Sequence, residues 1–241
     1  MRGASNQIGI SGVTLFGGET VTSLDDLGFY KGAIGETIVS TYDEDGQPNA
    51  APMGVVIESD SCLLIRPYTT SMTYKNLRAK RCAVVNVTSN AETFYLTAFK
   101  EANPDGKLAS ELFEKAVTVD ASKLRAADAT VEVTVAEERS FGADRAEFLC
   151  NVQLVTASKT LPKVYCRAQF ATIEAVVHAT HIKLFLKGDE REQKQAVRLI
   201  ELTEICRDVV SRTAPNSRYS EIMADLTRRI DLWRKESASL R

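Results

Sequence analysis

The chain has no excess of basic charge: 30 Lys and Arg stand against 32 Asp and Glu, a formal net charge of −2. A surface that reads nucleic acid or lies on an anionic membrane needs a clear positive surplus, so neither is expected as a partner. It also lacks an apolar run long enough for a transmembrane helix, since its longest hydrophobic stretches are strand-sized. The first residues do not follow the charged-then-apolar order of a secretion signal. Cysteine is sparse and dispersed: Cys62, Cys82, Cys150, Cys166 and Cys206 form no Cys-x-x-C. An odd, scattered set fits reduced thiols in a reducing compartment, and a cytoplasmic protein is expected. There is no Gly-x-Ser-x-Gly, and neither histidine sits near a plausible nucleophile, so no nucleophilic triad is visible. No glycine-rich dinucleotide fingerprint follows a strand either, which rejects a nicotinamide-binding Rossmann domain.

What is present reads as an ordinary globular chain of 241 residues, 44% apolar and 26% charged, long enough for one sizeable core and an accessory unit. Residues 1 to 27 are rich in Gly, Ser and Thr and are expected to form a weakly ordered extension, with a short strand near Val13 to Phe16. From 34 the pattern alternates: IGETIVSTY, a DEDGQPN turn, then AAPMGVVIE, then CLLIR after Ser59-Asp60. That is an antiparallel meander whose first turn rests on Gly46 and Pro48 and whose second is Ser59-Asp60. Pro52 and Gly54 inside the second strand mark an edge or bulge, and Gly54 would allow close approach of another backbone or a flat ligand. CAVVNVT (82 to 88) suits a strand buried on both faces; two more strands are expected at 129 to 138 and 146 to 159. ETFYLTAFK (92 to 100) is compatible with a strand or a helical turn. After Lys163 the period becomes helical. Ile173, Val176, Val177, Thr180 and Leu184 define one stripe; Leu199, Leu202, Ile205, Cys206 and Val209 a second; Ile222, Met223, Leu226, Ile230 and Trp233 a third. The last two helices would form a hairpin, its first helix capped by Asp189 and its second begun at Ser217. The expected architecture is mainly β with α: at least six antiparallel strands, closed or partly closed, with helices at the end. Residues 28–168 would be the barrel domain and 169–241 the C-terminal helical segment.

The densest chemistry lies between Leu63 and Thr88. Arg66, Tyr68, Thr69, Thr70, Ser71, Thr73, Tyr74 and Asn76 crowd a strand-to-helix turn. Hydroxyls, one guanidinium and free N–H groups at a helix start are what an anion such as a phosphate needs. The competing reading is a capped helix after an exposed turn. Glu174, His178 and His181 share a helix face at metal-ligand spacing, but no Cys or Asp completes a set, and no metal site is assigned.

GETIVSTYDEDGQPNAAPMGV, then RPYTTSMTYKNL, then AVVNVT resembles, in order as well as in motif, the FMN-binding split-barrel proteins. These include flavin-reductase-like and pyridoxine-phosphate-oxidase-like proteins, and the similarity is strongest to the DUF447 family, over roughly residues 28 to 186. The resemblance implies a six-stranded antiparallel split barrel that binds FMN at a homodimer interface; the C-terminal helices depart from the flavin-reductase pattern and suggest a substrate cover or a dimer brace. Carried over, Arg66, Ser71, Thr73 and Asn76 fall on the phosphate side, with Thr69 and Thr70 close by and Tyr68 against the flavin. Met53, Gly54 and Val55 would pass along the ring, Asn86 and Thr88 could reach the cofactor, and Glu36 and Thr37 are weaker candidates. Pyridoxine-phosphate oxidases carry a Lys where this chain has Thr73, so a second, substrate phosphate is not expected. The implied activity is an oxidoreductase of flavin-reductase type, acting on a small-molecule substrate or taking electrons from a reduced nicotinamide. Its catalytic side chain is not identified. The alternatives are a flavin-binding or sensor module without turnover and a cofactor-free interaction scaffold.

Overall fold

A computed structural model describes residues 19–29, 31, 34–158 and 166–239. The strand expected near Val13 to Phe16 lies outside the described residues. The chain divides into two compact units, Met1–Thr88 with Ala109–Leu161, and Ser89–Leu108 with Pro162–Arg241.

The first unit carries strands β1 (Thr20–Val21), β2 (Ile34–Tyr42), β3 (Pro48–Ser59) and β4 (Cys62–Ile65), helix α1 (Met72–Lys80), and strands β5 (Cys82–Val87), β6 (Phe113–Lys115), β7 (Ser122–Leu124), β8 (Ala129–Phe141) and β9 (Arg145–Ala157). Antiparallel pairing runs β9–β4–β3–β2–β5–β8, and β8 pairs again with β9, which closes a six-stranded barrel. Closure removes the free edges that would otherwise template aggregation. Alternation fills the interior. Val131, Val133 and Val135 point inward with Val39, Val55, Ile57, Leu63, Ile65, Ala83, Val85, Phe148 and Cys150. Register shifts at Glu132/Val133 and at Val135/Glu137 bend the long β8–β9 ribbon around the barrel.

The β6–β7 hairpin has no counterpart in the strand pattern read from the sequence. It lies over the outer face of β5 and explains why CAVVNV is buried on both sides. Cys82 and Val84 point outward and pack with Ala116, Val119 and Ala121. Two further anchors hold it. Glu132 is 1% exposed and accepts from the Val117 and Thr118 amides at 2.8 and 2.6 Å and from the Thr118 hydroxyl at 2.6 Å. Lys123 is buried between the carboxylates of Glu19 (2.9 Å) and Glu114 (3.3 Å). Burial alone would lower the Lys123 pKa, but the two carboxylates outweigh it and hold it above the usual lysine value.

The second unit is helical: α2 (Ala91–Ala98), α3 (Arg167–Phe185), α4 (Glu190–Thr213) and α5 (Arg218–Ser239). Residues 92 to 98 of the ambiguous 92–100 stretch are therefore helix, begun by Asn90, whose side chain accepts from the Glu92 and Thr93 amides. Asp189 caps α4 in a reciprocal capping box with Glu192. The α5 stripe packs as the periodicity predicts, with Ile222, Met223, Leu226 and Ile230 buried. The α3 stripe does not. Its buried face is Ala168, Thr172, Ala175, Val176, Ala179 and Ile182, while Leu184 is exposed. On α4 the buried residues are Ala196, Thr203, Cys206 and Val210, and Ile205 is 60% exposed. The buried residues of both helices are mostly small, and small side chains let packed helix backbones approach closely. α4 consequently runs along α3 and touches α5 less extensively.

Candidate functional site

The register of β4 on β9 pairs Ile65 with Phe148, so the next residue, Arg66, stands beside Glu147. Both side chains point away from the barrel interior, because Ile65 and Phe148 point into it. Beyond Ile65 the segment stays tied to the β8–β9 turn. The Ala146 amide donates to the Pro67 carbonyl (3.1 Å) and the Thr69 amide to the Asp144 carbonyl (2.9 Å). Ser71 then ends the extended run, with φ −78° and ψ 154°, and caps α1: its hydroxyl accepts from the Tyr74 amide at 3.2 Å and donates to the Tyr68 carbonyl at 2.7 Å. None of the described residues accepts from the Met72 or Thr73 amide, the normal state of first-turn donors. These N–H groups carry the positive end of the helix dipole.

Around that helix start the hydroxyls divide into engaged and free. The Thr69 hydroxyl donates to the Asp144 carbonyl (3.1 Å), and Thr70 is exposed. Thr73 is 2% exposed, and its hydroxyl makes no hydrogen bond among the described residues. Asn76 is buried, and its amide donates to the Thr41 hydroxyl at 2.9 Å, fastening α1 to β2. Tyr74 packs on Phe148 with ring centroids 5.9 Å apart.

The cations beside this turn are engaged, except Lys75, which is exposed. Arg66 directs both Nε and Nη2 at Glu147 Oε2, each at 2.8 Å, and its guanidinium lies 4.2 Å from the Phe141 ring centroid. Arg145 lies 4.0 Å from the Tyr68 ring centroid and donates to the Tyr68 hydroxyl at 2.6 Å. Sequence reasoning missed Arg145 and Glu147. Only the strand register reveals them, although a turn between two strands beside an Arg-bearing strand end is the signal that points there.

Met53, Gly54 and Val55 sit where β3 changes partners. β3 pairs with β2 along Pro48–Val56, but with β4 only from Val55 onward, so among the described residues the edge from Pro48 to Gly54 has no ladder partner on its second side. Pro52, which has no N–H to give, is tolerated there for that reason. The Met53 carbonyl already accepts from the buried Thr37 hydroxyl (2.9 Å). A Cβ on Gly54 would come within 2.5 Å of Ile34 Cγ2, so the glycine makes room for that side chain. Val55 is fully buried and laddered on both sides, to Gly35 and to Ile65, so the structure does not bring it to a ligand-facing position. Asn86 is committed inside the fold: its amide donates to the Ile38 carbonyl and the Ser40 hydroxyl, both at 2.8 Å, and its oxygen accepts from the Leu124 amide at 2.7 Å. Thr88 is buried at the end of β5.

In the helical unit, His178 Nε2 lies 3.3 Å from Glu174 Oε1, whereas His181 Nδ1 lies 3.0 Å from the carbonyl of Val177 and its ring packs on Phe185. The two imidazoles have different partners, and no group of three His, Cys, Asp or Glu able to hold a metal ion occurs among the described residues. Burial lowers the His178 pKa below the usual value, with Glu174 opposing. In the barrel, burial pushes the Cys150 thiol up to about 12, which keeps it protonated and unreactive at neutral pH.

The family model described as "Protein of unknown function (DUF447) N-terminal domain" matches residues 35–169. Among solved structures, the fold is similar to that of an FMN-bound protein of the DUF447 family from Methanosarcina mazei: 23% identity, TM-score 0.64, covering 85% of this chain and 98% of that one. Flavoredoxin of Desulfovibrio vulgaris is similar at 15% identity and TM-score 0.45, over 54% of this chain and 73% of its own. The flavin reductase component of a bacterial two-component tryptophan halogenase is similar at 17% identity and TM-score 0.44, over 53% and 81%. None of the curated proteins compared with the sequence matches it.

Proposed function

This chain belongs to the DUF447 family, and from that premise we propose that it is an FMN-binding flavoprotein, an oxidoreductase of flavin-reductase type. The observation that carries the reading is the start of α1. Among the described residues the Met72 and Thr73 amides and the Thr73 hydroxyl have no acceptor and the β3 edge from Pro48 to Gly54 has no second ladder partner, and Thr70 is exposed. That donor set fits a phosphate monoester. Free helix-start amides and hydroxyls satisfy its oxygens, and the helix dipole favours its charge. α1 packs on β2 and β3, so the donors and the open edge belong to one face of the barrel. The similarity to the FMN-bound Methanosarcina mazei protein supports the choice of FMN.

In this reading Ser71 fixes the helix start, Thr70 and Thr73 with the first α1 amides hold the phosphate, Thr69 ties the turn to the Asp144 carbonyl instead of donating to the ligand, and Asn76 keeps α1 seated on β2. Arg66 supplies a guanidinium at the rim. Met53 and Gly54 offer backbone N–H and C=O groups to the polar edge of the ring system, and Tyr68 an aromatic face beside it. Asn86 supports the sheet behind them. The flavin, when bound, supplies reversible hydride and electron transfer; the chain contributes binding, orientation and electrostatics. The electron donor would be a reduced nicotinamide or another reduced small molecule, and two chains would share the cofactor across a two-fold axis in a cytoplasmic homodimer.

The test is the visible spectrum of the purified protein, followed by anaerobic mixing with NADH and NADPH. Flavin absorbance that bleaches with either supports the reading. Protein that is colourless and gives no spectral change with added FMN would refute it, while bound FMN that stays oxidised with both would leave a flavin-binding module without this activity.

A further inference from the structure

The strongest charge near the α1 start is already neutralised inside the protein. Arg66 turns its Nε and Nη2 donors onto a single oxygen of Glu147, at 2.8 Å each, while Phe141 lies against the guanidinium. The side chains are 28% and 13% exposed, so this is a part-buried pair that solvent screens less than a surface one. Arg139, the next cation along the β8–β9 ribbon, is bound to Glu137 at 2.6 Å. Arg145 is engaged with Tyr68. A phosphate arriving at α1 therefore meets neutral donors and the exposed Lys75 first, and gains the Arg66 guanidinium only by drawing it away from Glu147.

Resting on the FMN reading above, we propose that Glu147 sets the strength and selectivity of phosphate recognition by competing with the ligand's phosphate for Arg66. When the phosphate takes Arg66, Glu147 loses its partner in a site with little solvent, and that loss offsets much of the gain from the new charge-assisted bond. The chain would then hold FMN as an exchangeable ligand, with an affinity well short of what an unopposed Arg66 would give.

The test is the dissociation constant of FMN and of riboflavin, read by quenching of flavin fluorescence, for the full chain and for Glu147→Gln, Arg66→Ala and the double variant. Glu147→Gln should tighten FMN by roughly tenfold, the scale of one freed charge-assisted hydrogen bond, and leave riboflavin unchanged. The gain should vanish in the Arg66→Ala background. Glu147→Asp, which withdraws the carboxylate by one methylene, should shift FMN affinity in the same direction and covers the case in which the first variant folds poorly. Unchanged or weaker FMN binding in both Glu147 variants would overturn the proposal. So would an equal gain without Arg66, which would make the effect one of net charge alone. Failure of every form, the unaltered chain included, to bind either flavin would instead overturn the flavoprotein reading on which the proposal rests.

Discussion

At the scale of single residues, the polar groups that matter are those that spend their hydrogen bonds inside the fold. Glu132 is the clearest case, because its buried carboxylate takes two backbone amides and one hydroxyl from Val117 and Thr118. Removing it strands those donors beside the barrel, and hydrogen bonds to a charged group are worth about 1.5–3 kcal/mol each. Glu132→Ala should therefore destabilise the protein by roughly 3 kcal/mol in urea unfolding; a change below about 0.5 kcal/mol would show that the hairpin is held without it. Strand alternation places 132 outward between Val131 and Val133, and outward it points. What the sequence does not reveal is the hairpin that covers it, because residues 113 to 124 contribute two three-residue strands, too short to show a period. Asn86 teaches the same lesson. An Asn in an apolar strand invites a ligand role, yet here three sheet and hairpin groups, from Ile38, Ser40 and Leu124, use its donors and acceptor.

At the scale of elements, caps are legible and faces are not always so. The Asp189 cap follows from residue chemistry at the end of a periodic segment and is in place, while at α1 the sequence leaves Thr70 and Ser71 open and the structure has Ser71. Asp189→Ala should remove one half of the α4 capping box and cost about 1 kcal/mol, measured as a shift in the thermal unfolding midpoint. No shift would mean that α4 is held by packing alone. The seam between α3 and α4 departs from the hydropathy stripes because large apolar residues dominate such a pattern, whereas close helix contact favours Ala and Thr. Leu184 and Ile205 lose to Ala175, Ala179 and Ala196 on that geometry. On α3, His178 couples packing to pH. Burial depresses its folded-state pKa below 6.5, so the unfolded chain binds the proton more readily. The stabilising contribution is fully present above the unfolded value of about 6.5 and is lost as pH falls from there through the lower folded-state value. A decline in unfolding midpoint between pH 7.5 and about 5 should flatten in His178→Gln; an identical slope in both proteins would assign the pH dependence to other groups.

At the scale of the whole molecule, the six barrel strands are legible because each alternates or runs apolar between polar turns or a helix. Their closure is not, since it depends on the long β8–β9 ribbon and its two register shifts. The hydroxyl-rich turn at 66–76 can be singled out in the sequence as the candidate anion site, but not the Glu147 that faces Arg66, because only register places it there. The proposed pocket-sharing arrangement carries a prediction of its own: the full chain should sediment as a homodimer at micromolar concentration, and a monomer there would contradict it.

The central claim is that a phosphate seats on the α1 start and brings a flavin with it. It is tested most directly by titrating the full chain and Thr73→Val with FMN and with riboflavin. The account predicts that the unaltered chain binds FMN more tightly than riboflavin and that Thr73→Val, nearly isosteric but without the hydroxyl, weakens FMN by about five- to tenfold while leaving riboflavin as it was. Equal affinity of the unaltered chain for the two flavins, or an equal loss of both in Thr73→Val, would contradict it.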